Sequence, residues 1–478
     1  MVKNRTAAVA LSCTVLAFLF SGQAFSGSRP NVLFIAIDDL NACPDRMGGE
    51  TVVQTPNINR LADRGVFFMN AHCAAPSCGP SRAAVLSGMA PAATGVYSNN
   101  QDWRKNSVLK DRPTIPQYFK DQGYEVVGGG KIYHASSFSE IQRAGLFDPK
   151  PWDDYFPSRK QQLLEDVIEG HSGRFDWAAT EMSPEETGDG KVVAWASEML
   201  AREYDRPLFL AVGIYHPHYP WYTPRKYYDR HPMDQLSLPE IPADDMDDLP
   251  PAGQKMGNDH YHKKMVEDGE WEEYVRGYNA AVSFADDMVG RLLTALEKSP
   301  HAENTVVVLW SDHGYHNGQK QRWEKYALWE QTTRVPLIFS APGFKGGLEC
   351  AEPVSLLDIF PTLNDICGFP AVERLDGESL VPLMQNPGKK TGRAVVITTK
   401  YKTHAVRTDR WRYIRYANGD EELYDQKKDP KNFTNLAENP EYAGVKAELS
   451  RLLPAYNAPI NPTGNWKKKS PELQADHK

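Results

Sequence analysis

The sequence predicts an α/β protein in which helices cover both faces of a large, mainly parallel β-sheet, followed by a smaller C-terminal α+β subdomain with an antiparallel sheet. Up to about residue 370, short apolar runs typical of strands buried on both faces alternate with helical segments. Beyond that point, short alternating runs separated by turns replace the pattern. The length of 478 residues accommodates both units, since a domain usually holds roughly 100–200 residues.

The individual elements follow from hydrophobic spacing. Near-continuous apolar segments predict core strands at residues 31–37, 124–128, 208–213, 305–310 and 335–340. Helical periodicity predicts helices at residues 56–64, 114–122, 191–204 and 274–298. Residues 233–270 are rich in Pro, Asp and Gly, and we expect a long surface insertion there because a strongly apolar helix and strand follow it.

The C-terminal subdomain is expected to contain strands at residues 393–399, 404–407, 411–416 and 421–424, with a hairpin signal at Asn418-Gly419. The polar, Lys-rich tail at 466–478 is expected to be mobile. We therefore divide the chain into an N-terminal domain at 27–370 and a C-terminal subdomain at 371–478.

The N-terminus has the pattern of a secretory signal peptide at residues 1–26. Lys3 and Arg5 precede an apolar stretch at 7–20, and Ala24-Phe25-Ser26 is a small-x-small cleavage site. A membrane anchor is the alternative, but the stretch is short for crossing a bilayer, and no other run is long and apolar enough. The sequence thus predicts a secreted or periplasmic protein without a transmembrane segment.

Cysteine content and charge narrow the function classes. After loss of the signal, five cysteines remain, an odd number that indicates a special thiol in an oxidising compartment, whereas Cys350 and Cys367 are one pair that a disulfide could join. The net charge of −8 argues against a generic nucleic-acid binder, which needs a basic face. It leaves open an anionic substrate bound in a local cationic pocket.

Acidic residues follow two of the predicted core strands. Asp38 and Asp39 come directly after the first strand, and Ser311-Asp312-His313-Gly314 follows the strand at 305–310. Ligands of open α/β sheets collect at the carboxyl ends of strands, and clustered carboxylates there suit a hard divalent cation. Strand-end capping or a surface turn is the alternative interpretation.

The most specific segment is SCGPSRAAVLSG at residues 77–88. Cys78 precedes a short helix predicted to begin near Pro80 or Ser81, and a helix N-terminus favours a thiolate or an anionic ligand. Arg82 adds a fork-shaped anion donor one turn away. A buried structural cysteine is the alternative.

This segment resembles the signature of the type I sulfatases of the alkaline-phosphatase-like superfamily, with Ser87 where the family usually has Thr. The resemblance extends from about Pro30 to Tyr424. It is strongest to iduronate-2-sulfatase-like enzymes, in TPNI at 55–58, PTIPQYF at 113–119, GKIYH at 130–134 and the spacing from Asp312 to Lys325. Those enzymes have HKPH where this chain has YHPH at 215–218, so a substrate lysine is missing and iduronate specificity is in doubt.

The resemblance implies a set of catalytic roles. Cys78 would be oxidised to formylglycine by a formylglycine-generating enzyme, and its hydrate, activated by the metal and Arg82, would attack sulfur and later release sulfate. His134 would be the base for that release and Lys131 a sulfate clamp. His218 would be a leaving-group acid or sulfate donor, and Lys325 would protonate the departing alcohol. One calcium ion would be held by Asp38, Asp39, Asp312, His313 and the modified Cys78, with magnesium as the alternative.

Substrate contacts are proposed from position. Residues 99–104 follow the signature helix, and Trp103 could stack on a sugar while Arg104 lines the mouth, a core tryptophan being the alternative. His404 and Arg407 lie in the subdomain that often closes over substrate in this family. Arg407 suits a uronate or second sulfate, a structural strand arginine being the alternative. We expect His216 at the rim and His316 in a surface loop.

Three functions follow in order of preference. The first is a secreted sulfatase acting on sulfated carbohydrate, either algal polysaccharide or glycosaminoglycan oligosaccharides. The second is a phosphonate monoester or phosphodiester hydrolase, which shares the fold and the modified cysteine. The third is a carbohydrate-binding protein with an inactive site, which the intact set of site residues argues against.

Overall fold

The structure, a computed structural model, describes residues 29–134, 148–156, 176–257 and 260–460. The predicted signal peptide at 1–26 and the tail at 466–478 lie outside these ranges. In chain order the strands are β1 Asn31–Ile37, β2 Val66–Phe68, β3 Ala71–His72, β4 Glu125–Gly130, β5 Asp154–Phe156, β6 Trp177–Thr180, β7 Leu208–Ile214, β8 Trp221–Pro224, β9 Thr305–Ser311, β10 His316–Asn317, β11 Trp323–Glu324, β12 Arg334–Val335, β13 Leu337–Ser340, β14 Leu348–Cys350, β15 Val354–Ser355, β16 Val395–Lys400, β17 Thr403–Arg407, β18 Trp411–Arg415 and β19 Glu421–Asp425.

The α-helices lie between these strands and at the C-terminal end. They span Pro56–Ala62, Cys78–Ser87, Pro91–Thr94, Ile115–Asp121, Gly188–Ala201, Arg225–Tyr228, Pro251–Gly257, His260–Glu267, Trp271–Glu297, Glu330–Thr333, Ile359–Cys367, Val381–Gln385 and Ala443–Ser450.

The largest sheet has eight strands in the order β14-β2-β13-β9-β1-β7-β4-β5. The central strands β9, β1, β7, β4 and β5 run parallel, whereas β13 is antiparallel to both β9 and β2. This mixed, mainly parallel sheet confirms the predicted fold class. The strand expected at 335–340 is divided at Pro336, which has no N–H for a ladder, so β12 pairs with β3 in a separate sheet.

Side chains of the central strand β1 alternate between the two halves of the core. Val32, Phe34 and Ala36 pack with the helices Cys78–Ser87, Ile115–Asp121 and Ile359–Cys367 on one face. Leu33, Ile35 and Ile37 pack with the helices Gly188–Ala201 and Trp271–Glu297 on the other. Because both faces are covered, the continuous apolar run of β1 is buried along its length, as predicted.

Most of the described residues of the segment at 233–270 are exposed or half-buried, as expected of a surface insertion, but the segment is more regular than its composition suggests. It contains the helices Pro251–Gly257 and His260–Glu267, and Met265 is buried in the core. Asp245 accepts a hydrogen bond from Nζ of Lys320 at 2.5 Å, and both side chains are buried. Proline at the first position of a helix is compatible with helix formation, so the Pro-rich composition concealed an ordered segment.

Strands β16 to β19 form the predicted C-terminal antiparallel sheet in consecutive order. The sheet is joined to the main body by a hydrogen bond from the backbone N–H of Thr398 to the carbonyl of Ala74 at 2.9 Å. The domain boundary at residue 370 stays a prediction.

Two further expectations concern membranes and disulfides. Within the described ranges, no helix combines the length and the apolar character needed to span a bilayer. The five cysteines described, at positions 43, 73, 78, 350 and 367, are all buried free thiols, so a disulfide between Cys350 and Cys367 is not formed.

Candidate active site

The site lies where two parallel strands end side by side. Ile37 of β1 pairs with Ser311 of β9, so Asp38 and Asp312 leave the sheet at the same edge. The backbone N–H of Asp39 donates to Oδ1 of Asp312 at 3.2 Å, and Asp39 itself has a left-handed φ of 64°. All three carboxylates are fully buried, which argues against the alternative of a surface turn.

Cys78 is the first residue of its helix, two positions earlier than the predicted start near Pro80. Its Sγ lies 3.2 Å from Nε2 of His313, 3.2 Å from Nζ of Lys325 and 4.0 Å from Nζ of Lys131. Burial and the charge of Asp38 oppose ionisation of the thiol, but the two lysines and His313 outweigh them and lower its pKa. The cysteine therefore occupies a closed, cationic pocket, unlike a structural thiol.

Arg82 holds three strand ends together from one turn further along the same helix. Its Nε donates to Oδ2 of Asp312 at 2.7 Å, and its Nη2 donates to Oδ1 of Asp38 at 3.2 Å. Its Nη1 donates to the carbonyls of Lys131 and Ile132, which follow β4. Since these bonds use most of the guanidinium donors, Arg82 chiefly positions the carboxylates.

Each of the two lysines pairs with one of the adjacent carboxylates. Lys131 donates to Oδ2 of Asp38. Burial alone would raise the pKa of Asp38, but the charges of Lys131 and Arg82 hold it well below its usual value. Lys325 donates to both oxygens of Asp39, at 2.8 and 3.0 Å. Burial nevertheless raises the pKa of Asp39 to about 7, so the two neighbouring carboxylates differ in proton affinity.

The three histidines predicted for the catalytic and metal sites differ in protonation. Nδ1 of His313 donates to the carbonyl of Gly314 at 2.9 Å. Burial opposes protonation of the ring, but Asp312 and Cys78 raise the pKa of His313 to about 9. Burial and Lys131 lower the pKa of His134 to about 3, and its Nδ1 has no hydrogen-bond partner among the described residues.

His218 is also neutral at neutral pH, because burial, Lys131 and Lys325 lower its pKa well below the usual value. Its Nδ1 donates to the carbonyl of Tyr219 at 2.6 Å, which leaves Nε2 directed to Asp39, 4.0 Å from Oδ2. The ring can therefore accept a hydrogen bond at Nε2 inside the site.

The donors brought together fit a hard divalent cation. Two overlapping groups have ligand atoms within 4.8 Å of one another, namely Asp38, Asp39, Cys78 and His218, and Asp38, Cys78, Asp312 and His313. Each group offers two carboxylates, the ligands that calcium and magnesium prefer, together with Cys78 and one histidine, and every predicted metal ligand belongs to at least one of the groups.

Trp103 and Arg104 make internal contacts. Trp103 is 2% exposed and stacks on Tyr133 with ring centroids 5.8 Å apart. Arg104 pairs with Asp148 at 2.5 Å and donates to the carbonyls of Leu109 and Arg112. The structure thus supports the core alternative for Trp103 and gives Arg104 a structural role, because Tyr133 stacks on the indole ring and Asp148 pairs with the guanidinium group.

The predicted C-terminal contacts are internal as well. His404 is buried, with Nδ1 2.9 Å from Oγ1 of Thr398, and Arg407 donates to Oε1 of Glu330 at 2.6 Å. Oε1 of Glu330 also accepts a hydrogen bond from Nη2 of Arg412 at 2.7 Å, so Arg407 belongs to a buried network of ion pairs. The alternative of a structural strand arginine is therefore supported.

Two other histidines named from the sequence also have defined partners. His316 is fully buried, with Nδ1 3.2 Å from the carbonyl of Gln319, which contradicts the surface-loop prediction. His216, expected at the rim, is partly buried and bonds Oδ2 of Asp189 at 2.7 Å through Nδ1. Asp189 also accepts from the backbone N–H groups of Tyr215 and His216, a role with no signal in the sequence.

Sequence reasoning also missed how Lys325 is held in place. Lys320, Gln321, Glu324 and Tyr326 all have left-handed φ angles between 50° and 71°, although none is Gly or Asn. Asn99 connects this loop to Cys78, since its Oδ1 accepts from the backbone N–H of Gly79 at 2.7 Å and its Nδ2 donates to the hydroxyl of Tyr326 at 2.9 Å.

Comparisons with known proteins agree with this geometry. The sequence model of the family described as Sulfatase matches residues 30–369, and the one described as N-sulphoglucosamine sulphohydrolase, C-terminal, matches residues 318–458. A sulfatase from Formosa agariphila is 39% identical over 459 residues, covering 92% of this chain and 89% of the relative. The human iduronate 2-sulfatase is 30% identical, covering 71% and 69% of the two chains. A Delta 4,5-hexuronate-2-O-sulfatase from Bacteroides thetaiotaomicron is 29% identical, covering 92% and 91%.

Solved structures share the architecture. A 2-O GAG sulfatase matches with a TM-score of 0.69 and 24% identity, covering 89% of this chain and 91% of the other. The phosphonate monoester hydrolase of Agrobacterium radiobacter matches with a TM-score of 0.76 and 21% identity, covering 89% and 94%. At such identities the likeness is one of fold.

Proposed function

Because the chain belongs to the sulfatase family and is thus a sulfuric ester hydrolase, we propose that its substrates are the sulfate monoesters of carbohydrates, from algal polysaccharides or glycosaminoglycan oligosaccharides. The resemblance predicted from the sequence, including that to iduronate 2-sulfatase, is confirmed. Similarity to a hexuronate 2-O-sulfatase over 92% of this chain supports the carbohydrate substrate. Residues 1–26 support secretion to the periplasm or the medium.

The proposal depends mainly on the groups that surround the side chain of Cys78. Three nitrogen groups, on His313, Lys325 and Lys131, lie within 4.0 Å of its Sγ in a fully buried pocket. A sulfate ester is an anion, so its hydrolysis needs positive charge around the sulfate oxygens. We propose that Cys78 is converted to formylglycine, whose hydrate supplies a nucleophilic hydroxyl and a second hydroxyl that allows sulfate to leave.

The side chains around residue 78 would divide the remaining work. Lys131 and Lys325 would bind the sulfate oxygens, and Lys325, held as an ammonium by Asp39, could give a proton to the departing alcohol. Burial lowers the pKa of His134, so its ring is neutral at neutral pH, and it would act as the base for the release of sulfate once the negative charge of the bound sulfate raises its proton affinity. His218 would donate to a sulfate oxygen through Nε2 only in its protonated form, since Nδ1 already donates to Tyr219 and the neutral ring presents a lone pair at Nε2.

We further propose that Asp38, Asp39, Asp312 and His313 hold one calcium ion, with magnesium as the alternative. When bound, the ion would add positive charge beside a sulfate oxygen. Arg82 would orient two of these carboxylates through its bonds to Asp38 and Asp312.

The experiment is a sulfate-release screen over defined sulfated oligosaccharides, with tryptic mass analysis of the Cys78 peptide. We expect sulfate release from at least one carbohydrate, and a mass at residue 78 consistent with formylglycine when the protein is made in a host able to modify it. Cys78→Ser and Cys78→Ala should fold normally and show no turnover. Full activity of Cys78→Ser, or an intact thiol in an active preparation, would contradict the proposed nucleophile.

A second candidate is a phosphonate monoester or phosphodiester hydrolase, which the fold similarity to the Agrobacterium radiobacter enzyme favours. The same preparation tested on phosphodiesters separates the two functions. Faster turnover of a phosphodiester than of every sulfate ester would select the second candidate.

A further inference from the structure

A surface of tyrosine and lysine side chains, exposed except at the half-buried Tyr401, lies on the C-terminal part of the chain. We call the tyrosine–lysine surface the group formed by Lys400, Tyr401 and Lys402 at the β16–β17 turn together with Tyr456. Tyr456 is 67% exposed, the largest fraction among the exposed large hydrophobic side chains described, and both lysines are exposed. Nζ of Lys402 lies 5.3 Å from the ring centroid of Tyr401.

Tyr97 joins this surface to the residues that follow the Cys78 helix. Its ring centroid lies 6.4 Å from that of Tyr401, at an interplanar angle of 78°. Its hydroxyl donates to the carbonyl of Ala458 at 2.7 Å, and the backbone N–H of Ala458 donates to the carbonyl of Ala92 at 2.8 Å. The C-terminal segment that carries Tyr456 is therefore attached beside the residues that follow the Cys78 helix.

Short hydrogen-bonded steps connect the β16–β17 turn to the reacting residues. Oγ1 of Thr399 donates to the carbonyl of Tyr326 at 3.5 Å, and Tyr326 adjoins Lys325 in sequence. The backbone N–H of Tyr326 donates to the carbonyl of Pro76 at 2.9 Å, two residues before Cys78. The turn thus lies beside both segments that supply the catalytic side chains.

The chemistry of the surface matches an acidic sugar. Aromatic faces pack on the C–H face of a pyranose ring, and ammonium groups bind carboxylate or sulfate. No acidic side chain lies within 4.0 Å of Nζ of Lys400 or Lys402 in the described part of the chain, whereas Lys390, Lys427, Lys431 and Lys446 of the same C-terminal region all have such a partner. The two lysines are thus available for an anionic ligand.

We propose that the tyrosine–lysine surface is a binding subsite for the sugar residues that flank the sulfate-bearing residue in an anionic oligosaccharide. Tyr401 and Tyr456 present ring faces to the sugars, and Lys400 and Lys402 bind their carboxylate or sulfate groups. The inference rests on the proposed function, which it extends from a single sulfated residue to an acidic chain. It also moves the C-terminal substrate contacts from the buried His404 and Arg407 to the exposed turn.

The test compares a hexasaccharide with a monosaccharide monosulfate of the same sulfated sugar, prepared from heparin, ulvan and carrageenan. Tyr401→Ala, Lys402→Ala and Tyr456→Ala should each lower kcat/KM for the hexasaccharide roughly three- to tenfold through KM, and leave the monosaccharide unchanged. Tyr401→Phe, which keeps the ring, should behave as the wild type. The proposal would be overturned if kcat/KM fell equally for both substrates, if it did not change for the hexasaccharide, or if the protein turned over only monosaccharides.

The matched control is Lys428→Ala. Lys428 is also exposed, but it follows β19 at the end of the sheet remote from the β16–β17 turn, as the strand register shows. Its replacement should leave kcat/KM unchanged for both substrates. A loss on the hexasaccharide equal to that of Lys402→Ala would assign the effect to general surface charge and overturn the proposed subsite.

Calorimetric binding separates this inference from the proposed function. Cys78→Ala should bind the sulfated hexasaccharides, and the additional change Tyr401→Ala should weaken that binding by a similar factor, while maltohexaose, which is uncharged, should not bind. Binding that depends on Tyr401 without sulfate release by the wild type would retain the subsite and contradict the sulfatase substrate. No detectable binding of any sulfated hexasaccharide would overturn the subsite.

Discussion

Nζ of Lys325 lies 3.2 Å from Sγ of Cys78, and the same ammonium group bonds both carboxylate oxygens of Asp39. The lysine thus connects the residue proposed as nucleophile with a carboxylate proposed to bind metal. Its pKa is raised well above the usual value because, although burial opposes protonation, Asp39 and Cys78 favour the charged form. A permanent positive charge is therefore built into the site.

Replacing Lys325 with Met should abolish activity and destabilise the fold, because Asp39 would lose its cationic partner in a buried site. Loss of one partner from a buried pair costs roughly 3–5 kcal/mol, which urea unfolding can measure. Arg412→Met is the control, since Arg412 is a fully buried cation that bonds Oε1 of Glu330 outside the site. That variant should lose stability and keep kcat at temperatures where it remains folded. Retained activity in Lys325→Met would contradict the catalytic role.

Replacing Arg82 with Lys should separate the two carboxylates that the guanidinium joins. An ammonium group cannot bond Asp38, Asp312 and the two backbone carbonyls together, so we expect a loss of roughly 3–5 kcal/mol and a fall in kcat of about 100-fold or more. Arg393→Lys is the control, because Arg393 also joins two carboxylates, those of Asp358 and Glu378. If both variants kept wild-type kcat, the positioning role of Arg82 would be wrong.

Adding calcium to chelator-treated protein should raise the Tm and restore activity. A ligand present at about 100 times its Kd stabilises the folded state by about 2.7 kcal/mol, and magnesium serves as the comparison ion. Asp312→Asn should remove the shift. Asp286→Asn should keep it, since Asp286 is a buried carboxylate that accepts from Asn57 and Ile58 outside the site. An equal shift in Asp312→Asn would reject the assigned ligands.

The buried His316 should make the fold sensitive to acid. Burial lowers its pKa to about 3, whereas the unfolded chain protonates it near pH 6.5, so its contribution to stability is lost as the pH falls from 6.5 towards 3. At pH 5 this amounts to about 2 kcal/mol. His316→Gln should reduce the difference in unfolding free energy between pH 7.5 and pH 5 by that amount, and the exposed His260→Gln should not. An unchanged difference in His316→Gln would contradict a neutral buried ring.

The strand ends were predictable from sequence because a physical rule connects them. Parallel strands that are adjacent in a sheet bring their carboxyl ends to one edge, so Asp38 and Asp312 could be placed together from two apolar runs alone. The contributions of Lys131, His134 and Lys325 depended on resemblance, since lysine and histidine in loops have no periodic signal.

The misplaced residues share a different cause. Trp103, Arg407 and His316 lie in turns, short strands or loops where the inward or outward direction of a side chain depends on packing against distant segments. Arg407 is buried because Glu330, 77 positions away, provides its counter-charge. Such pairings leave no trace in local sequence, and the same holds for the left-handed residues around Lys325.

Those left-handed residues have a consequence for engineering. The bends at Lys320, Gln321, Glu324 and Tyr326 are unfavourable for their own side chains, so the surroundings must impose them, among them Asp245 on Lys320 and Asn99 on Tyr326. A segment of this kind cannot be transplanted into another scaffold as a self-contained cassette. An exchange intended to transfer selectivity would have to carry Asp245 and Asn99 along with the loop.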